Sequence, residues 1–200
     1  MANSFDPQVQ KVDLTSKVVV GLERLSEVFR VLLWEKAKDT GLSPIQIQIL
    51  LFLSTHDKML ANVSHLSKEF NLKKPTVSDA IKALHDKGLV LKEPGDDGRA
   101  YTIIPSDKGQ HMIKQVEGFE TPLSKAINTL SSDQKTSLHA SLSQLIYQLN
   151  QTGIIETQRN CFGCNFYEKN TKGHYCQFIK KPLNGGDIRL DCDDFEIALN

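Results

Sequence analysis

The stretch "NVSHLSKEFNLKKPTVSDAIKALHDKGLVLKEPGDDGRAYTIIPSDKG", residues 62–109, constrains the fold of this chain more than any other. Its first part predicts a short helix around Val63 to Phe70, a break at Asn71 and Leu72, and a second helix opened by Pro75 and closed by Gly88. In the second helix Val77, Ala80, Ile81 and Leu84 recur on one face and must pack inward. Thr76, Ser78, Asp79, Lys82, His85 and Asp86 are left on the other. Taken alone, that polar face fits a solvated surface as well as a helix entering a DNA groove. The residues after Gly88 shift the balance: a strand from Leu89 to Lys92, the turn-rich tip "EPGDDGR" and a returning strand from Ala100 to Ile104 make a hairpin.

A helix-turn-helix followed at once by a hairpin is the winged-helix order, in which the hairpin reaches the DNA backbone or minor groove beside the recognition helix. The flanking sequence is helical. From Leu14 to Lys38 an apolar stripe of Val18, Leu22, Leu25, Phe29, Leu32 and Leu33 predicts one long helix that stops at Gly41. "SPIQIQILLFLSTH" predicts another, with Ser43 as cap and Gln46 as its reciprocal partner. The Ile-Gln alternation at its start also suits a strand, but the Ser-Pro opening favours helix, and its nearly all-apolar body places it in the core. A helix capped at Ser106, kinked or broken at Pro122, and a last one capped at Ser131 with Gln134 as box partner complete a mainly α fold with a small β-wing.

The residues "LKKPTVSDAIKALHDKGLV" and "DGRAYTIIPSDKG" resemble the MarR family of transcription regulators, which shows an Asp-x-Arg pair in the wing followed by a Leu-Thr-x-x-Gly helix start. Asp97, Arg99, Ser106 and Gly109 fall in register with that pattern, with Ser in place of Thr and Pro105 in place of the preferred Leu. The resemblance spans residues 14–151 and implies a homodimer built from the first and last long helices, bound to a pseudo-palindromic site. It further implies repression relieved by an effector, such as a small molecule between the dimerisation helices and the wing. Two-fold dimers are also the commonest assembly in general. In this reading Lys73, Lys74 and Lys82 contact phosphates, while Thr76 and Ser78 reach base edges near the helix N-terminus. Arg99 makes the wing contact and Asp97 orients its guanidinium; without the family register the pair would read as an exposed ion pair of little worth. Asp79 and Asp86 repel phosphate and predict moderate affinity, or contacts that are more selective than strong.

The net charge is zero, with 24 basic and 24 acidic residues, so DNA binding has to come from a local positive face rather than from a basic whole. No apolar run approaches the roughly 18 to 20 residues of a membrane span, and the N-terminus lacks the pattern of a secretion signal, which predicts a cytoplasmic protein without membrane partners. Phosphate-binding loops, nucleophile elbows and His-Glu-x-x-His zinc motifs are missing from the sequence, so an enzyme is not expected.

All four cysteines lie in the last forty residues, spaced as C-x2-C, eleven residues, Cys, fifteen residues, Cys. In a reducing cytosol such clustering points to metal or redox chemistry rather than disulfides. Residues 153–200 are therefore read as a cysteine-rich metal-binding module appended to a DNA-binding and dimerisation domain over residues 1–152. A segment this short buries too little to fold alone, and a metal crosslink would hold it. Zinc held by Cys161, Cys164, Cys176 and Cys192 is the first expectation. An iron–sulfur cluster at the same residues, making the protein a redox or metal sensor, is the second, and a metal-free thiol switch the third. His174 is a potential replacement ligand but reads better as a bystander, and Asp191, Asp193 and Asp194 read as a solvated turn. A winged helix used only for protein interaction is the remaining alternative to DNA binding.

Overall fold

The computed structural model describes residues 3–94, 101–156, 159–171 and 173–198. Eight α-helices and five strands follow in the order α1 (Pro7–Val12), α2 (Leu14–Thr40), α3 (Pro44–Thr55), α4 (Val63–Glu69), α5 (Lys74–Asp86), β1 (Val90–Pro94), β2 (Tyr101–Pro105), α6 (Asp107–Val116), α7 (Thr121–Ile127), α8 (Ser132–Gln151), β3 (Tyr167–Asn170), β4 (Gly173–Cys176) and β5 (Lys181–Leu183) among the described residues. The long stripe beginning at Leu14 forms α2, which ends at Gly41 in a left-handed conformation with φ of 65°. That geometry is the usual helix stop and favours glycine.

The segment after Ser43 is a helix, not a strand. Ser43 and Gln46 make the reciprocal capping box, and the Gln46 side-chain oxygen accepts from the Ser43 N–H at 3.0 Å, so this buried amide is satisfied. Ile47, Ile49 and Leu50 are fully buried, and α3 packs against α2, α5, α6 and β2. It is the axis of the core, joined there by Leu66 of α4, Ile81 and Leu84 of α5, and Ile113 of α6. Because Leu84 has no exposed surface, Leu84→Ala should cost about 2–5 kcal/mol, read as a lower urea midpoint with an unchanged slope.

The wing forms as the alternation predicts. Strands β1 and β2 pair antiparallel, with Val90 opposite Pro105 and Pro94 opposite Tyr101. Pro105 is accommodated at the end of the ladder, where the next residue, Ser106, donates its N–H to the Leu89 carbonyl at 3.0 Å. Ile103 donates to the Ala61 carbonyl at 2.8 Å, which ties the wing to the turn before α4. The helix capped at Ser106 breaks earlier than the sequence suggests: α6 ends at Val116, Gly118 turns left-handed with φ of 74°, and Pro122 serves in the first turn of α7 instead of kinking a continuous helix.

Residues 159–198 add an element that the sequence reading lacked, an antiparallel sheet in the order β3–β4–β5 with Tyr167 opposite Cys176 and His174 opposite Leu183. The segment is docked on α8. Phe162 meets Tyr147 edge-on at 5.8 Å, and the fully buried Asn160 donates to the Ser143 carbonyl at 3.4 Å while accepting from the Phe162 N–H at 2.9 Å.

Candidate nucleic-acid interface and four-cysteine cavity

Helices α4 and α5 are set by the buried face of α5. Val77, Ala80, Ile81 and Leu84 lock into the core, so the opposite face is held outward without freedom to rotate. Asn71, with φ of 50°, makes the tight turn between the two helices. Among the described residues, Lys73, Lys74, Thr76, Ser78 and Lys82 are exposed and their side chains are engaged in no hydrogen bond or ion pair. The N-terminus of α5 is unlike most others in the molecule. Asp13, Ser43, Asn62, Ser106 and Ser131 cap α2, α3, α4, α6 and α8 with a side-chain oxygen, whereas α5 starts at Lys73 with no side-chain cap. Pro75 has no N–H, so the first turn offers the N–H groups of Lys74 and Thr76, which have no side-chain cap and stand beside two ammonium groups, the arrangement that attracts a phosphate. Helix α7 is also uncapped but begins beside Glu120, which has the wrong sign for an anion. Asp97 and Arg99 lie outside the described residues.

The second site is built by the C-terminal segment. Asn160 accepts from the Phe162 N–H to start a short 3-10 turn, Cys161–Gly163, and Cys164 follows directly, with its N–H on the Cys161 carbonyl at 3.0 Å. Cys176 ends β4, and Cys192 is brought alongside by the Arg159–Asp191 bridge and by the Cys161 N–H donating to the Arg189 carbonyl at 3.1 Å. Cys161, Cys164, Cys176 and Cys192 all line one cavity of about 350 Å³, whose other walls include Phe166, Phe178 and Leu183. The four thiols are free and partly buried. Burial pushes the Cys161 thiol up, and the other three cysteines add to that rise, opposed by a hydrogen bond from the Arg189 N–H at 3.2 Å. The Arg189 guanidinium also donates to the Cys192 sulfur at 3.6 Å. Among the described residues, no three His, Cys, Asp or Glu side chains are gathered closely enough to hold a single metal ion. His174 is engaged elsewhere, with Nδ1 2.5 Å from the Tyr167 hydroxyl, and it does not line the cavity.

Between the two sites lies a charged cluster that the sequence reading missed. Arg159 donates from Nη1 and Nη2 to the two carboxylate oxygens of Glu69 on α4, at 2.9 and 3.2 Å. Its Nε and Nη2 reach the carboxylate of Asp191 at 2.5 and 3.1 Å. His56, at the C-terminal end of α3, lies 2.8 Å from Asp191 through Nε2 and stacks on Phe52 with ring centroids 3.9 Å apart. Burial lowers the pKa of Arg159, but the hydrogen bonds it donates to Asp191 and Glu69 outweigh this and leave it raised. Burial likewise works against ionisation of Asp191, and Arg159 and His56 reverse it, so that its carboxyl is held below the usual range. Asp191 is thus no free member of a solvated turn; it is half of a fixed ion-pair network. The only sequence signal was position: Arg159 stands two residues before Cys161, and Asp191 immediately before Cys192.

A helix-turn-helix with an outward second helix, a two-stranded wing and long flanking helices defines the winged-helix class. The MarR family profile matches residues 40–100, from the end of α2 through the wing. Solved structures share the fold. A MarR transcriptional regulator from Methanosarcina mazei Go1 aligns with a TM-score of 0.57 and 20% identity over 69% of this chain and 98% of its own. A MarR-family regulator from Silicibacter pomeroyi aligns with 0.60 and 20%, over 74% and 98%. MepR of S. aureus, solved as a complex with DNA, aligns with 0.57 and 18%, over 64% and 94%. At these identities the likeness is one of fold. No curated protein matches the chain. Among the described residues, no helix is long and apolar enough to cross a membrane.

Proposed function

We propose that this protein is a dimeric, DNA-binding transcription regulator that acts in the cytoplasm as a repressor. The observation that carries the reading is the N-terminus of α5: uncapped, flanked by Lys73 and Lys74, and followed by exposed Thr76, Ser78 and Lys82 on a helix whose far side is locked into the core. The fold it shares with MepR, which was solved bound to DNA, supports it. The lysines and the free N–H groups would hold phosphates and fix the register, while Thr76 and Ser78 would face base edges in the major groove.

The dimer is supported by α2. Leu22, Leu25 and Phe29 stand 38%, 45% and 45% exposed along one side of it, and Trp34 near its end is 51% exposed. Only Ser16 and Ala37 of its 27 residues are buried. A stripe of large apolar side chains this long on the uncovered face of a helix is the mark of an interface. Leu138, Leu145 and Leu149 on α8 are exposed in the same way. A two-fold axis through these helices would set two α5 helices about one turn of DNA apart, roughly 34–36 Å, and require a pseudo-palindromic site. An effector that changes their spacing would release the DNA.

The test is selection of duplexes from a random pool, followed by affinity measurement across a salt series. Steep loss of affinity with salt is expected because bound lysines release DNA counterions; flat dependence favours the protein-interaction reading. Lys74→Ala, present twice in a dimer, should reduce the log–log salt slope by about 2 and weaken all sequences alike. Arg99→Ala should weaken binding while leaving the dimer intact, and unchanged affinity would remove the wing contact.

A further inference from the structure

We propose that Cys161, Cys164, Cys176 and Cys192 hold a [4Fe–4S] iron–sulfur cluster, and that the Arg159 network transmits its presence to helix α4. Four thiolates around one zinc ion lie about 2.3 Å from it, which draws the sulfurs to within roughly 4 Å of one another. No such compact set exists among the described residues, yet all four thiols face a single cavity of about 350 Å³. A cubane of four irons and four sulfides holds its cysteine sulfurs farther apart and fills the space between them. The cavity walls suit it: Phe166, Phe178 and Leu183 supply an apolar shell, and Arg189 points a backbone N–H at the Cys161 sulfur and its guanidinium at the Cys192 sulfur. Hydrogen bonds to cysteine sulfur and a nearby cation stabilise a centre whose four thiolates leave it negatively charged. The C-x2-C turn, the end of β4 and the 189–192 loop are three separate pieces of chain, as expected for ligands spread around a polynuclear centre.

The same pieces hold the network. Arg159 and Asp191 are placed two residues and one residue before Cys161 and Cys192, and through Glu69 and His56 they grip α4 and the end of α3. Movement of either cysteine on binding or losing the cluster therefore displaces the ion pairs that hold α4 against the segment. Helix α4 is the partner on which α5 is seated. The cluster site stands independently of the DNA-binding reading; only the consequence for DNA affinity rests on it.

The experiment uses the full-length chain under anaerobic conditions and a synthetic [4Fe–4S] cluster capped by small thiolates. In the exchange each cysteine thiol gives its proton to a departing thiolate, four free thiols leave, four iron–sulfur bonds to the protein replace four to the caps, and iron and sulfide keep their oxidation levels. About four irons and four acid-labile sulfides per chain, with broad visible absorption, are the expected result. Cys176→Ser should fall to half the iron content or less, with the helical circular dichroism of residues 3–151 retained. Uptake of one zinc per chain with refusal of the cluster, absence of any uptake, or full iron content in Cys176→Ser would each overturn the site. For the coupling, amide hydrogen exchange over residues 63–69 should slow at least fivefold on loading in the wild type and by less than twofold in Glu69→Gln at equal iron content. Equal slowing in both overturns the route through Arg159 but leaves the cluster in place. DNA affinity, measured on loaded and empty protein, should then differ about tenfold; failure to bind any duplex in either state counts against the regulator reading, while the iron and sulfide content still decides the site.

Discussion

Gly109→Ala is expected to be the most damaging single-methyl change in this protein. A Cβ at Gly109 would fall 2.0 Å from the Leu89 carbonyl oxygen and 3.1 Å from its carbonyl carbon, with Pro105 Cβ at 3.4 Å. Overpacking usually costs about 1–3 kcal/mol because side chains move aside. Here the obstacle is backbone, and that same Leu89 oxygen accepts the Ser106 N–H that continues the wing. Relief would need α6 to back away from the turn between α5 and β1, breaking the cap in which Ser106 Oγ accepts from Gly109 N–H at 3.0 Å. A loss of at least about 3 kcal/mol is expected, on the order of 10 °C in Tm, visible by thermal circular dichroism. Gly88→Ala is the contrast. Nothing lies within 4 Å of an added Cβ there, but φ is 69°, so only the left-handed penalty of about 1–2 kcal/mol applies. Equal losses at both positions would show that the Gly109 contact is not what matters.

The second large effect is expected from Leu25→Glu combined with Phe29→Glu. Both side chains are 45% exposed in the single chain and neither belongs to the buried core, so the fold should survive with its helical spectrum unchanged. In a dimer built on α2 the two carboxylates would lie desolvated and facing their symmetry mates. Burying such unpaired charges costs several kcal/mol, and a loss of about 4 kcal/mol raises the dimer dissociation constant about a thousandfold. Sedimentation velocity at micromolar concentration should show monomers, and DNA affinity should fall with the loss of the second α5. A variant that remains dimeric would place the interface elsewhere and leave the stripe on α2 without a partner.

Much of the winged-helix half was legible because its signals are local. Ser43 with Gln46 and Ser131 with Gln134 announce helix starts within one turn, and both boxes form. The inward set Val77, Ala80, Ile81 and Leu84 follows from 3.6-residue periodicity, and all four are buried. Where the reading slipped, two local signals competed. Pro122 and Gly118 both interrupt a helix, and the break fell at the glycine because proline is tolerated in a first turn while a left-handed residue ends a helix outright. The β3–β4–β5 sheet was not foreseen. Strands of three and four residues carry too little alternation to be seen, and their pairing depends on what they pack against.

The sequence by itself therefore determined the main helices from Leu14 on, apart from where α6 ends, together with the turn between α4 and α5, the wing and the grouping of the cysteines, since each rests on contacts between residues a few positions apart. Tertiary structure alone decided that the four thiols share one cavity rather than a compact single-ion set, and that the cysteine segment grips the helix-turn-helix. Arg159 meets Glu69 across 90 positions, and His56 meets Asp191 across 135. No periodicity links residues that far apart, because their meeting is set by how whole elements stack around α3 and α8, and only the folded chain brings those charges into one network.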